Sequence, residues 1–183
     1  MNTADILSRI TKLNVVVVGD ICLDRWSWYD PATAEPSRET GIPRIAVIRT
    51  ETTPGAGGTI ANNLVALGVQ NVSVLGVIGQ DGFGWELLSA LEVRHIGSNL
   101  LVASEEVNTF TYTKLLNIDT SEEDRPRVDF INTQPLSELI ETEIVQRLES
   151  VFPSSDVVLV SDQAETNAGG VITPRVRERI NEL

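Results

Sequence analysis

Residues 54–84, PGAGGTIANNLVALGVQNVSVLGVIGQDGFG, constrain the fold more than any other stretch of the chain. They read as glycine turn, helix, strand, glycine turn. Gly55, Gly57 and Gly58 let the backbone turn sharply and come close to another molecule, because no Cβ stands in the way. Ile60, Leu64 and Leu67 recur at helical spacing, and Gly68 fits the left-handed residue that ends such a helix. Val72 to Ile78 is a short, β-rich apolar run, as expected of a strand covered on both faces. Asp81 is placed to cap the helix that follows. A glycine-lined helix N-terminus beside a buried strand favours an anion or a polar ligand through its N–H groups and dipole. The same glycines also serve tight helix–strand packing. No Lys-Ser or Lys-Thr follows them, so this is not a P-loop, and their spacing is not the dinucleotide-binding GxGxxG.

The 183 residues suffice for one α/β domain with a real core. With 26 acidic against 14 basic residues, the formal charge of −12 argues against nucleic acid or an anionic membrane surface as the main partner. A phosphorylated ligand is still compatible, since local N–H groups and a few Arg or Lys outweigh net charge at short range. Cys22 is the single cysteine, so there is no internal disulfide and no cysteine metal cluster, which fits a reducing cytoplasm. Residues 1–13 lack the pattern of a signal peptide, and no apolar run approaches the ~20 residues that span a bilayer.

In chain order, residues 3–13 predict a short amphipathic helix with Ile6, Leu7, Ile10 and Leu13 on one face. Val15 to Val18 predict a buried parallel strand ending in Gly19-Asp20. Asp20 and Asp24 then stand at the carboxyl end of a strand, where ligands gather in open α/β sheets. Each is either a turn or cap residue or an acceptor for sugar hydroxyls. Residues 25–49 do not read as a crossover helix. Trp26, Trp28 and Tyr29 precede a strand predicted over 42–48, so the segment forms an appendage, either a lid or a subunit contact. The aromatics serve packing or a sugar-stacking platform. Helices are predicted over 84–94 and 133–152. A strand is expected over 99–103, a one-face-wet strand over 109–117 around Lys114, and a second over 127–131 that pairs with it as a hairpin. A buried strand over 156–160 ends in Ser161-Asp162, again a carboxylate at a strand's carboxyl end. Thr173-Pro174 opens a last helix, whose Val176 and Ile180 are expected to be exposed beside an uncovered sheet edge.

Taken together, these residues resemble the ribokinase-like (PfkB) family of carbohydrate kinases. The likeness is nearest to the kinase domain that phosphorylates heptose 7-phosphate, the first domain of bifunctional ADP-heptose synthesis enzymes. It is carried by Val17 to Trp26, by the whole 54–84 stretch, by Thr111-Tyr112-Thr113-Lys114, by Arg127-Val128-Asp129-Phe130 and by Val158 to Asp162. The resemblance implies a ribokinase-like α/β fold over residues 1–183. Its parallel sheet is flanked by helices, with a small β lid from about 26–50 and 109–131, and its C-terminal part is missing. It implies sugar contacts at Asp24, Gly55, Gly57, Gly58, Thr59 and Asp162, lid residues Arg38 and Lys114, and contact between two copies through the lid. It also implies ATP and Mg2+ as cofactors. The family has asparagine where Thr59 stands. Its Gly-Ala-Gly-Asp turn, which supplies an anion hole and a catalytic aspartate, and its Asn-x-x-Glu motif tied to magnesium do not occur in this sequence. Phosphoryl transfer depends on positioning and electrostatic stabilisation, so the expectation is sugar contacts without kinase turnover, from the N-terminal half of a truncated or split reading frame. The competing expectation is a non-catalytic sugar-binding or subunit-pairing half-domain. A dinucleotide-binding oxidoreductase fits less well, because the first strand lacks the glycine fingerprint.

Overall fold

A computed structural model describes residues 2–166 and 168–183. In chain order the elements are α1 (Thr3–Ile10), β1 (Asn14–Gly19), β2 (Ile21–Tyr29), β3 (Val47–Ala56), α2 (Gly57–Ala66), β4 (Asn71–Gly79), α3 (Gly82–Val93), β5 (Gly97–Ser104), β6 (Thr111–Asn117), β7 (Val128–Phe130), α4 (Glu138–Val151), β8 (Val157–Ser161) and α5 (Pro174–Glu182). The strands form two sheets. Each has four strands. One, called the larger sheet for the helical layers it carries on both faces, is wholly parallel in the order β5-β4-β1-β8; the other, called the smaller, has the order β3-β2-β6-β7.

The valine run of β1 is apolar on both sides because the larger sheet is covered on both faces. Val15 and Val17 join Val72 and Val74 against Ala61 of α2 and Leu87 and Leu91 of α3. Val16 and Val18 join Leu75 and Val77 against Ile140, Ile144 and Leu148 of α4 and Val176 of α5. Val176, expected to be exposed, is fully buried: α5 turns it onto α4, and Ile180 packs beside it. At the outer edge of the sheet, Val160 of β8 is exposed, in keeping with the uncovered edge. The helix at the N-terminus is shorter than its apolar spacing predicts. Ile6 and Leu7 stay exposed, and only Ile10 and Leu13 reach the core.

The smaller sheet departs most from the sequence reading. Only Asp20 stands between the end of β1 and the start of its central strand β2, so it is the shortest link between the two sheets. The strand expected over 42–48 instead begins at Val47 and runs through Pro54, Gly55 and Ala56, antiparallel to β2. Residues 42–46 alternate like a strand, but among the described residues their only ladder contact is a single bridge between Pro43 and Pro36. Pro54 is tolerated within β3 because β3 is an edge strand, where a missing N–H breaks no ladder. β6 and β7 pair antiparallel, as the hairpin reading requires.

Candidate functional site

The larger sheet reverses its winding at β1, with β4 and β5 laid to one side and β8 to the other. The carboxyl ends of β1 and β8 therefore mark the crevice where α/β sheets bind ligands. Asp20 leads out of this crevice and is fully buried. Its Oδ2 accepts from the amides of Gln163 and Ala164 (both 2.7 Å), and its Oδ1 from Val171 (2.8 Å). Its own carbonyl accepts from Gly57 (2.9 Å). Every one of these bonds is to backbone, so Asp20 is the residue that ties β1, α2 and the loop after β8 together.

Asp24 lies on the opposite kind of surface. It is half-buried, and no hydrogen bond to its carboxylate is found among the described residues. Cross-strand pairing sets Thr53, Asp24, Tyr112 and Asp129 in one row across the four strands of the smaller sheet. The neighbouring row on the same face holds Glu51, Trp26 and Lys114. Arg127 stands just before β7, its guanidinium 4.9 Å from the Tyr112 ring, while the Lys114 ammonium is 5.5 Å from the Trp26 ring. Burial pushes the Asp24 carboxyl above its ordinary range, and Lys114 and Arg127 partly oppose that. Burial likewise pushes the Tyr112 hydroxyl up. That hydroxyl is buried without a hydrogen-bond partner among the described residues. The arrangement thus offers acceptors in one row, with Lys114 in the next and Arg127 over the Tyr112 ring. Hydroxyl groups and an anionic group borne by one small molecule would match it.

The glycines divide into different jobs. A Cβ on Gly55 would stand 2.7–2.9 Å from the Asp24 carboxylate, one on Gly57 2.7 Å from Ile21, and one on Gly58 2.5 Å from Pro54. Only the absence of side chains lets this turn close onto β2. The left-handed residue of the turn, however, is Ala56 (φ 51°), not a glycine. Ala56 is also the N-cap of α2 and offers no side-chain cap. Thr59 is exposed, and its hydroxyl donates to the Pro54 carbonyl (3.3 Å). Asp162 is exposed and engaged by Arg177 (2.6 Å); it lines a cavity of about 420 Å³ with Glu141 and Thr173 and shares none of its contacts with Asp24. Arg38 is exposed on the arm between Pro36 and Pro43. The structure therefore brings Asp24, Gly55 and Lys114 into one neighbourhood and leaves Asp162 and Arg38 out of it. The sequence reading holds Tyr112 and Arg127 only as carriers of the resemblance, not as site residues, and leaves Asp20 open between a turn or cap residue and a ligand contact. The alternation of Arg127 with Asp129 was the available signal for the second of these.

A parallel sheet covered by helices on both faces, with a small β lid springing from the carboxyl end of its central strand, is the ribokinase-like fold. Solved structures of that fold superpose on the chain. Phosphofructokinase-2 from Escherichia coli in complex with fructose-6-phosphate aligns with a TM-score of 0.62 at 14% identity, over 93% of this chain and 51% of that one. A carbohydrate kinase from Agrobacterium tumefaciens aligns with a TM-score of 0.55 at 18% identity, over 81% and 45%. In sequence the chain is similar to bifunctional protein HldE. It is 33% identical to the protein of Trichlorobacter lovleyi over 171 residues, and 32% identical to that of Rhodopseudomonas palustris over 177 residues. No family model matches the chain. The chain resembles the PfkB carbohydrate kinases over nearly its whole length, yet spans only about a third of the length of these curated relatives (33% and 34%).

Proposed function

We propose that this chain is the sugar-binding half of an ATP-dependent carbohydrate kinase that phosphorylates a sugar or sugar phosphate, in the manner of heptose-7-phosphate kinases. The observation that carries the reading is the pairing of Asp24 with the Cβ-free surface of Gly55, one row away from Lys114 and beside Arg127. In this reading Asp24 accepts hydrogen bonds from sugar hydroxyls and Gly55 keeps the space above it open. Gly57, Gly58 and Thr59 hold the turn against the sugar, and Lys114 and Arg127 attract an anionic substituent. Asp162 and Arg38 lie at the margin, and contact the ligand only after a rearrangement that frees Asp162 from Arg177.

ATP supplies the transferred phosphoryl group in such kinases, with Mg2+ as its counter-ion. Among the described residues no group of three or more His, Cys, Asp or Glu is gathered to hold a metal ion, and the reading for this chain is confined to the sugar side. Alone, it binds sugar and does not turn over. The setting is the cytoplasm. Among the described residues no helix is long and apolar enough to cross a membrane.

Calorimetric titration with fructose 6-phosphate and heptose 7-phosphate tests the reading. Wild-type protein is expected to bind at least one of them, and Asp24→Asn to weaken that binding at least about tenfold, equivalent to about 1.4 kcal/mol. Binding unchanged in Asp24→Asn, or robust phosphoryl transfer from ATP by this chain alone, would refute it. A second reading, a non-catalytic half-domain that pairs with another subunit, is favoured by the exposed Ile42, Ile45, Val47 and Ile48 along the lid arm and its edge strand. Contact between two copies through this lid would show as a dimer in sedimentation equilibrium that Ile48→Glu dissociates.

A further inference from the structure

We infer that Arg127 is an exchangeable latch of the lid: it fastens the lid to the loop after β8 through Glu165, and an anionic oxygen of a ligand beside Asp24 competes with Glu165 for it. This rests on the sugar-site reading for the identity of the ligand, but not for the latch itself.

Among the described residues, two ion pairs join the lid sheet to the body. On one side Arg25 of β2 meets Glu86 of α3 at 3.0 Å, and Arg25 also lies 5.0 Å from the centre of the Phe83 ring. Phe83 in turn packs against Phe130 of β7, ring centres 4.6 Å apart. Arg25 and Glu86 are partly buried, and with the two rings they have the character of a pivot. The other ion pair, Arg127 to Glu165 at 3.1 Å, is more open, with Glu165 58% exposed. An ion pair that exposed is held weakly and exchanges readily.

The two ends of the open pair are anchored independently. Arg127 is gripped on the lid by Asp129, through Nε at 2.7 and 3.0 Å and Nη2 at 2.7 Å. Glu165 follows Ala164, whose amide is held by the buried Asp20 carboxylate. Breaking the Arg127–Glu165 contact therefore loosens the lid without dislodging either residue from its own element. Arg127 keeps its Asp129 bonds and its place on the Tyr112 ring, from which its field already reaches Asp24. A guanidinium presents five donors in a planar fork. Here Nε and Nη2 are engaged, and no bond to Nη1 is found among the described residues. A phosphate oxygen near Asp24 forms the same charge-assisted, fork-like contacts as a carboxylate and can therefore take the place of Glu165.

The test compares wild type with Glu165→Gln, which keeps the shape of the side chain and removes its charge. In protein without added ligand, amide hydrogen exchange in 111–113 and 128–130 is expected to quicken in Glu165→Gln. Affinity for inorganic phosphate and for fructose 6-phosphate is expected to rise about threefold, while affinity for neutral fructose stays unchanged. Arg127→Gln should quicken the same amides and lower phosphate affinity instead. Unchanged lid exchange in Glu165→Gln overturns the latch. Quickened exchange with phosphate affinity unchanged or lower overturns the competition. Both outcomes are separate from the sugar reading, which fails if Asp24→Asn leaves sugar binding intact.

Discussion

Gly55 and Ala56 sit side by side and have opposite faults. At Gly55 an added Cβ meets only the far end of the Asp24 side chain. That carboxylate can swing aside, so Gly55→Ala is expected to leave the melting temperature almost unchanged. It would, however, move the acceptor out of place, and calorimetry should read a loss of sugar affinity of about tenfold, or about 1.4 kcal/mol. Ala56 is the reverse case. Its backbone (φ 51°, ψ −119°) belongs to a region that side-chain-bearing residues rarely enter. Such strain costs on the order of 1–3 kcal/mol, and a glycine there would relieve it at the expense of a floppier unfolded chain. Ala56→Gly should therefore stabilise the protein by about 1 kcal/mol net in urea denaturation. A loss of stability would show that the Ala56 methyl makes contacts worth more than the strain. Buried Cys22 needs no such accounting: burial, with Asp20 and Asp24 nearby, pushes its thiol up and disfavours the thiolate.

Among the elements, α3 has the most elaborate start. Asp81 caps it by accepting from the Gly84 amide (2.7 Å), and also accepts from the Thr109 amide and hydroxyl (both 2.9 Å), which joins α3 to the loop that leads into β6. Burial works against its ionisation, yet these bonds win and hold its pKa below the ordinary value. A depressed carboxylate pKa stabilises the fold above the unfolded value, about 4, and that contribution fades as acid protonates the folded form below it. Asp81→Ala should cost about 2–4 kcal/mol at neutral pH, the sum of a lost cap and an orphaned Thr109. The gap between variant and wild type should narrow below about pH 4. A pH-independent gap in denaturation would contradict this assignment. The cap was legible in advance, because Gly-Gln-Asp-Gly ahead of an apolar helical run has one good capping residue. The larger sheet was legible for a similar reason: strands covered on both faces leave unbroken apolar runs. The smaller sheet was not. Its strands have one wet face, so Ile42, Arg44, Ala46 and Ile48 alternate as convincingly as β2, and Pro54 reads as a break although an edge strand accepts it. Asp24 could be found from its place after a buried strand. Tyr112 could not, and Arg127 only faintly through its alternation with Asp129, since both join Asp24 through the pairing of β2 with β6 and of β6 with β7.

At the scale of the whole molecule, the shortest link between the two sheets is one residue. Asp20 is both the link between β1 and β2 and the holder of three backbone amides of the 163–171 loop. Asp20→Ala removes the acceptor from all three and should destabilise the protein by about 3–5 kcal/mol. Hydrogen exchange should then quicken at Gln163, Ala164 and Val171 ahead of the β1 core; uniform acceleration would mean that the loop has no separate anchorage. The same junction has a mechanical meaning. A load applied at the lid enters the body through an interior strand of the parallel sheet, not through its rim, and it pulls that strand along its length, where every ladder bond must shear together. Along this route the lid swings more readily than it peels. In an optical trap holding Tyr29 and Leu183, extension should come in one abrupt rip, with no earlier step in which the smaller sheet comes away alone.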